Sequence, residues 1–374
     1  MDNQTTTQNS LERETEQLTQ NQRLITPFQT LEELPIPLSY SQCVWHKHEL
    51  IICGGKNERV CYSYHTIKNE YEYICDYPSD VKLDGHCVVK LVDNKNKDSN
   101  QTTLLSFGGK YKHTLVMKYV SVWNELNNYN EWIPFTDNHN NPLSLKEVKI
   151  TTIKDNNNLL FITYRSNNIS VFDLNTFQFI KHDTLPTNNN LYFHCFVSNS
   201  ENGQGQEMTG KNKQKYQMLL FKYATGLLIE YDEDNNTFQC HQLPVCENVA
   251  LSYKYAYVFI NDFVLFFGGW NMNTSSVSKS LHKYSIRENK WTTFENTLPS
   301  PLRDCVAILS EEDNHIHIIG GNNDKGITVL THMKTKVHIC DPSQLSTNEM
   351  KFIIEYWIRI LKIKLGWIND FNKI

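Results

Sequence analysis

Cysteine and histidine are the side chains of this sequence with the widest chemical reach. It carries ten cysteines and fourteen histidines. Thiols bind soft metals or exchange disulfides, and imidazoles ligate zinc or move protons near neutral pH. Sequence spacing reveals such a site only where the groups fall in local pairs. Cys53, Cys61, Cys75, Cys240, Cys246 and Cys340 form no Cys-x-x-Cys pair, so the spacing gives no zinc signature. The histidine pairs His46/His48 and His315/His317 have the i, i+2 spacing that puts two side chains on one strand face. Lys47 and the acidic run Glu311-Glu312-Asp313 lie beside them, which makes both pairs read as solvent-facing turn residues. No Gly-x-Ser-x-Gly, phosphate-binding or dinucleotide-binding fingerprint is present. No cofactor or metal is expected.

The other four cysteines lead to the elements that hold them. Gln42-Cys43-Val44, His86-Cys87-Val88, His194-Cys195-Phe196 and Asp304-Cys305-Val306 recur at one place in an internal repeat, where a further unit has Ala256. A position that takes Cys or Ala wants a small buried apolar group. His86 and His194, just before it, are expected to hydrogen-bond around the centre of the assembly.

The repeat itself shows best where an apolar triplet runs into two glycines: Gly54-Gly55, Gly108-Gly109, Gly268-Gly269 and Gly320-Gly321. Degenerate copies without the glycines fall at Leu160–Tyr164 and Leu219–Tyr223, which makes six units with a period of roughly 53 residues. Two aromatic residues seven positions apart follow in Tyr64/Tyr71, Phe172/Phe179, Tyr231/Phe238 and Tyr284/Trp291, with a looser Trp123/Trp132. Turn-forming residues between them predict two strands joined by a hairpin. A four-stranded antiparallel sheet per unit buries neither face alone, so such sheets must stack into a ring.

Gly-Gly after an apolar strand, then Tyr, then Trp, at a period near 50, resembles the kelch motif of β-propellers. The resemblance covers roughly residues 25–342 and implies an all-β, six-bladed propeller of four-stranded antiparallel blades. The sixth unit has no aromatic pair. Residues 24–35 read as an outer strand with no sheet before it and are expected to close that blade, with Lys336–Ile339 as the competing segment. The resulting organisation is a polar disordered segment over 1–23, a propeller over 24–342 and a helical extension over 343–374. In the extension, Ser346 and Glu349 read as a capping box. An apolar helix with a basic stripe over 349–368 is expected to pack on the propeller or to self-associate.

The net charge of −5 gives no global attraction to nucleic acid, and no apolar run is long enough to span a bilayer. Without a secretory signal the expectation is a cytoplasmic protein. Kelch resemblance implies a non-catalytic interaction scaffold for a protein partner, bound through the face that gathers second-to-third-strand loops and blade crossovers. That face would carry Lys56, Arg59, Tyr111, Lys112, His113, Arg165, Trp270, Asn271, Arg303 and Asn323. Narrower implied roles are an actin-associated scaffold or a substrate receptor of a ubiquitin ligase. The alternative class is an enzyme or small-ligand binder using the central channel. Copper oxidases share this architecture, with Tyr/His ligands and a Tyr–Cys crosslink, but no such constellation assembles at matched positions.

Overall fold

A computed structural model describes residues 27–91, 101–123, 129–143, 145, 149–152, 159–164, 166–187, 191, 193–198, 215–310, 312–337 and 358. Residues 336–374 form a separate compact unit, in which the structure describes 336, 337 and a helical Ile358. The helix expected over 349–368 and Cys340 otherwise lie outside the described residues.

The strands run in chain order. β1 (Phe28–Thr30) is followed by β2 (Gln42–His46), β3 (Glu49–Gly55), β4 (Glu58–His65) and β5 (Glu70–Asp76), which form the first sheet. The second holds β6 (His86–Leu91), β7 (Gln101–Gly108), β8 (His113–Val120) and β9 (Ile133–Pro134). The third holds β10 (Lys149–Thr152), β11 (Leu159–Tyr164), β12 (Asn168–Asp173) and β13 (Gln178–Thr184). The fourth holds β14 (Cys195–Ser198), β15 (Lys215–Lys222), β16 (Thr225–Asp232) and β17 (Thr237–Leu243).

After a short helix, α1 (Glu247–Ala250), come β18 (Ser252–Tyr253), β19 (Ala256–Ile260), β20 (Phe263–Phe267), β21 (Trp270–Asn271), β22 (Ser276–Val277), β23 (Leu281–Ser285) and β24 (Lys290–Thr293). Of these, β19, β20, β23 and β24 make the fifth sheet, while β18, β21 and β22 make a small three-stranded one. The sixth sheet holds β25 (Val306–Leu309), β26 (His315–Ile319) and β27 (His332–Lys336), with β1 as its outer strand. Its third strand is therefore His332–Lys336. Ile327, five residues before that strand, is an exposed loop residue.

Among the described residues every strand pair is antiparallel, and the innermost strands of successive sheets lie side by side: β25 with β2, β2 with β6, β6 with β10, β10 with β14, and β19 with β25. The core sits in the wedges between sheets. Side chains alternate along a strand, so Leu50 and Ile52 pack toward Ile319 of the sixth sheet while Ile51 and Cys53 pack toward Leu104 and Met117 of the second. Further clusters fill the next three wedges, around Phe107 and Leu160, Phe161 and Leu220, and Phe221 and Phe266.

The paired aromatics turn out to be cross-strand partners. Tyr64 faces Tyr71, Phe172 faces Phe179, Tyr231 faces Phe238 and Tyr284 faces Trp291 across the third-to-fourth-strand hairpins. Ring centroids lie 4.9–5.2 Å apart, a separation that adds about 0.5–1.5 kcal/mol beyond burial. Three hairpins carry an asparagine with positive φ: Asn69, Asn236 and Asn289. Each accepts a hydrogen bond from the tyrosine five residues earlier, at 2.7, 3.1 and 2.7 Å. In the second sheet Trp132 instead stacks on Tyr77 at 4.6 Å, and Trp123 lies outside the strands.

The double glycines are shaped by the chain crossing to the following sheet. Gly268 has φ +64° and Gly320 φ +60°, and a Cβ on either would sit 2.1 or 2.2 Å from the carbonyl oxygen of Leu302 or Leu38. The N–H of the next glycine donates to that same oxygen, Gly269 to Leu302 at 2.9 Å and Gly321 to Leu38 at 2.7 Å. The glycine pair thus docks each crossover onto its sheet.

Candidate functional site

The residue that opens an innermost strand reaches sideways to the preceding sheet. The Nε2–H of His86 donates to the Cys53 carbonyl over 2.9 Å, and the Tyr255 hydroxyl donates to the Phe221 carbonyl over 3.0 Å. Nε2 of His194 lies 2.7 Å from Oγ1 of Thr163. His86 and His194 are therefore bonds between sheets. Burial drives the His86 imidazole down to about 3, so it stays neutral.

Just before these strands the chain turns sharply at the mouth of the ring. Tyr40, Gly85, Phe193, Lys254 and Asp304 all have positive φ, between 50° and 74°. For bulky residues such as Tyr40 and Phe193 that conformation is uncommon, and strained backbone clusters where side chains must be aimed. Together they line a cavity of about 200 Å³ whose floor includes Ser41, His86 and Cys305.

Charge is concentrated at one side of this mouth. The Lys254 ammonium lies 3.7 Å from the Asp304 carboxylate and 4.9, 5.6 and 5.7 Å from the rings of Phe193, Tyr40 and Tyr253. Arg303 approaches the same carboxylate at 3.6 Å and lays its guanidinium 4.8 Å over the Trp270 ring. Asn322 Nδ2 donates to Asp304 Oδ2 over 3.0 Å. Burial pushes the Lys254 ammonium down, against the pull of Asp304, and burial with the Asp304 charge pushes the Tyr40 hydroxyl up.

The structure brings Trp270 and Arg303 together and sets Lys56 5.9 Å over the Tyr40 ring at the rim. Tyr111, almost half exposed, lies between Lys82 and Lys110 at 5.8 and 5.3 Å, with Lys112 exposed beside it. Arg59 donates to the Tyr77 carbonyl at 3.4 Å, while Asn271 and Asn323 accept backbone N–H bonds of their own turns. Arg165 lies outside the described residues. His113 is not a loop group: β8 begins at His113, and its ring turns inward, 2.8 Å from Ser106 Oγ, with burial pushing it down to about 4.

The histidine pairs also differ from expectation. His48 is exposed and His315 is half-buried, but His46 packs on Tyr119 and His317 on Trp45. Strands β2 and β26 run far enough to carry those two rings into the wedges. Tyr40, Phe193, Lys254 and Asp304 were not singled out in the sequence. Their signal is position: each lies one to three residues before the Cys/Ala column of the repeat.

The nine described cysteines are free thiols. Cys87 and Cys195 are buried at their repeat position, Cys43 and Cys305 half-buried. Cys53, Cys61 and Cys75 face one another in register across β3, β4 and β5. No group of three or more His, Cys, Asp or Glu among the described residues could hold a metal ion, and no described helix is long and apolar enough to cross a membrane.

No protein-family model matches the chain and no curated protein matches it in sequence. Solved structures do match. The structure of YjhT superposes with a TM-score of 0.52 at 13% identity, over 82% of this chain and 97% of that one. Likeness at that identity speaks to fold alone, and with four-stranded antiparallel sheets arranged in a ring it makes the chain a β-propeller.

Proposed function

We propose that this propeller is six-bladed and kelch-type, and that it serves as a non-catalytic cytoplasmic scaffold holding a protein partner on the face that carries the channel mouth. Six four-stranded sheets among the described residues support the blade count. The glycine pairs and cross-hairpin aromatics support the kelch assignment.

The observation that carries the binding reading is the set of apolar and aromatic groups displayed by the second-to-third-strand loops. Tyr111, Met272 and Ile327 are 46%, 52% and 59% exposed on three separate blades. Lysines flank Tyr111, and Arg303 is stacked on Trp270 nearby. Aromatic and arginine anchors within a ring of polar loops are the composition of binding hot spots. The test is affinity capture with mass spectrometry from the source cells, comparing the native chain with Tyr111→Ala and Met272→Asp. A partner retained by the native chain and lost from both folded variants is expected. Equal retention would place the interface elsewhere.

A further inference from the structure

Three of the free thiols stand apart from the repeat. Cys53, Cys61 and Cys75 are partners in register on the neighbouring strands β3, β4 and β5, and all three belong to the core between the first and second sheets. Among the described residues no other cysteine faces a cysteine across a ladder: Cys43 faces Ile52, Cys87 Phe107, Cys195 Phe221 and Cys240 Ile229. Packing in this fold takes its cysteines singly, so a row of three needs another account.

Residues directly opposite in an antiparallel pair have Cα atoms about 4.5–5.5 Å apart, inside the disulfide window of about 4.4–6.8 Å. Each step of the row therefore meets the distance condition for an S–S bond. The whole row does not converge. Cys53 and Cys75 lie two strand spacings apart, roughly 10 Å, too far for three thiolates at about 2.3 Å from one metal ion.

The row also has a direction. Cys53 and Cys61 are 0% exposed, whereas Cys75, on the outermost strand beside the exposed Asp76, is 9% exposed. Cys61 is the middle thiol, and the Trp132 indole N–H donates to its sulfur over 3.4 Å. A hydrogen bond donated to sulfur favours the thiolate, the nucleophilic form.

We propose that Cys75 and Cys61 are a reversible oxidation site for peroxide, which closes a disulfide between β4 and β5. Peroxide takes two electrons from the Cys75 sulfur, and its O–O bond breaks to leave a Cys75 sulfenic acid and water. The Cys61 sulfur then attacks the Cys75 sulfur, the S–O bond breaks, and hydroxide leaves with the Cys61 proton as a second water. Two thiols and one peroxide thus become one disulfide and two waters, and Cys53 stays reduced behind them. The Cys61 sulfur and burial push the Cys75 thiol up, so the first step needs peroxide in excess. Where thiols are kept reduced, such a bond is a redox sensor and not a staple. The site does not depend on the protein-binding reading.

The three cysteines fall on separate tryptic peptides, because Lys56, Arg59 and Lys68 lie between them. The folded full chain is treated with excess hydrogen peroxide, its remaining thiols are alkylated after unfolding, and the peptides are mapped without reduction. A bridged pair holding Cys61 and Cys75, absent from the untreated chain and reversed by dithiothreitol, is expected. Cys53→Ala should keep the bridge. Cys61→Ala should lose it and leave a Cys75 sulfenic acid that dimedone traps; if that variant fails to fold, the map of the native chain decides. No bridge, a bridge to Cys53 in its place, or oxidation confined to Met117, whose sulfur lies 3.7 Å from that of Cys75, would overturn the site. A bridge that forms equally fast in urea would also overturn it, by assigning the bond to nearness in sequence and not to the ladder.

Discussion

The Thr335 hydroxyl donates to the Pro27 carbonyl over 2.7 Å, joining residues 308 positions apart in the chain. It continues the ladder in which Phe28, Gln29 and Thr30 of β1 face Thr335, Lys334 and Met333 of β27. The backbone N–H groups of Leu31 and Leu34 extend the contact to the carbonyls of His332 and Leu330. A ring of sheets has one seam, and here the first of the described strands is laid along the last sheet. Opening the seam requires breaking this ladder, so the ends are coupled to the stability of the whole ring.

Removal of residues 1–35 should therefore cost far more than removal of 1–23. The longer deletion takes β1 and the buried side chains Phe28 and Leu34, together about 3–6 kcal/mol of burial before backbone bonds are considered. Urea unfolding of the two truncated chains checks this. Matching midpoints would mean that the seam is held by other contacts.

Substitution at the glycines should be graded by what the new Cβ meets. Gly268→Ala and Gly320→Ala each drive a methyl into a crossover carbonyl at 2.1–2.2 Å, at a φ that alanine resists. Each is expected to destabilise by several kcal/mol, about the range of strain combined with overpacking. Gly85→Ala has open space and should lose only about 1 kcal/mol, from its left-handed backbone. Thermal denaturation of the three variants ranks them. A Gly85→Ala chain as unstable as Gly268→Ala would contradict the docking role of the glycine pairs.

Much of this was legible because the repeat fixes spacing. Seven residues from Tyr284 to Trp291 is the distance across a hairpin, so the cross-strand contact could be read from the sequence. The asparagines inside those hairpins were not singled out in the sequence, yet Asn289 supplies both a left-handed turn and the acceptor for Tyr284. The channel mouth was not legible. Tyr40, Phe193, Lys254 and Asp304 differ in chemistry, lie in four different crossovers and meet only when the ring closes. His113 was misplaced for a simpler reason: β7 ends at Gly108, so the four-residue loop is 109–112 and His113 already opens β8, with its ring turned inward to Ser106.

The wedges also predict how the protein responds to acid. Burial holds the imidazoles of His113, His282 and His317 at about 4 and that of His86 at about 3, and it lowers His332 as well. At His317 burial outweighs the favourable Asp313 charge, and Lys334 adds to the depression. His317 and His332 are hydrogen-bonded at 2.9 Å, and Tyr71 bonds the other nitrogen of His332, in the wedge beside the seam. Unfolded histidine titrates near 6.5. Between about 6.5 and 4 the unfolded chain therefore binds protons that the folded chain refuses, and stability falls as pH falls. The stabilisation is fully present above about 6.5 and is lost as pH drops through the folded values, at up to about 1.4 kcal/mol per histidine per pH unit. Urea midpoints should decline from pH 7 to pH 5. His317→Gln, which cannot take up the proton, should start less stable but decline less steeply. A native midpoint unchanged across that window would mean that these rings are hydrated and not buried neutral.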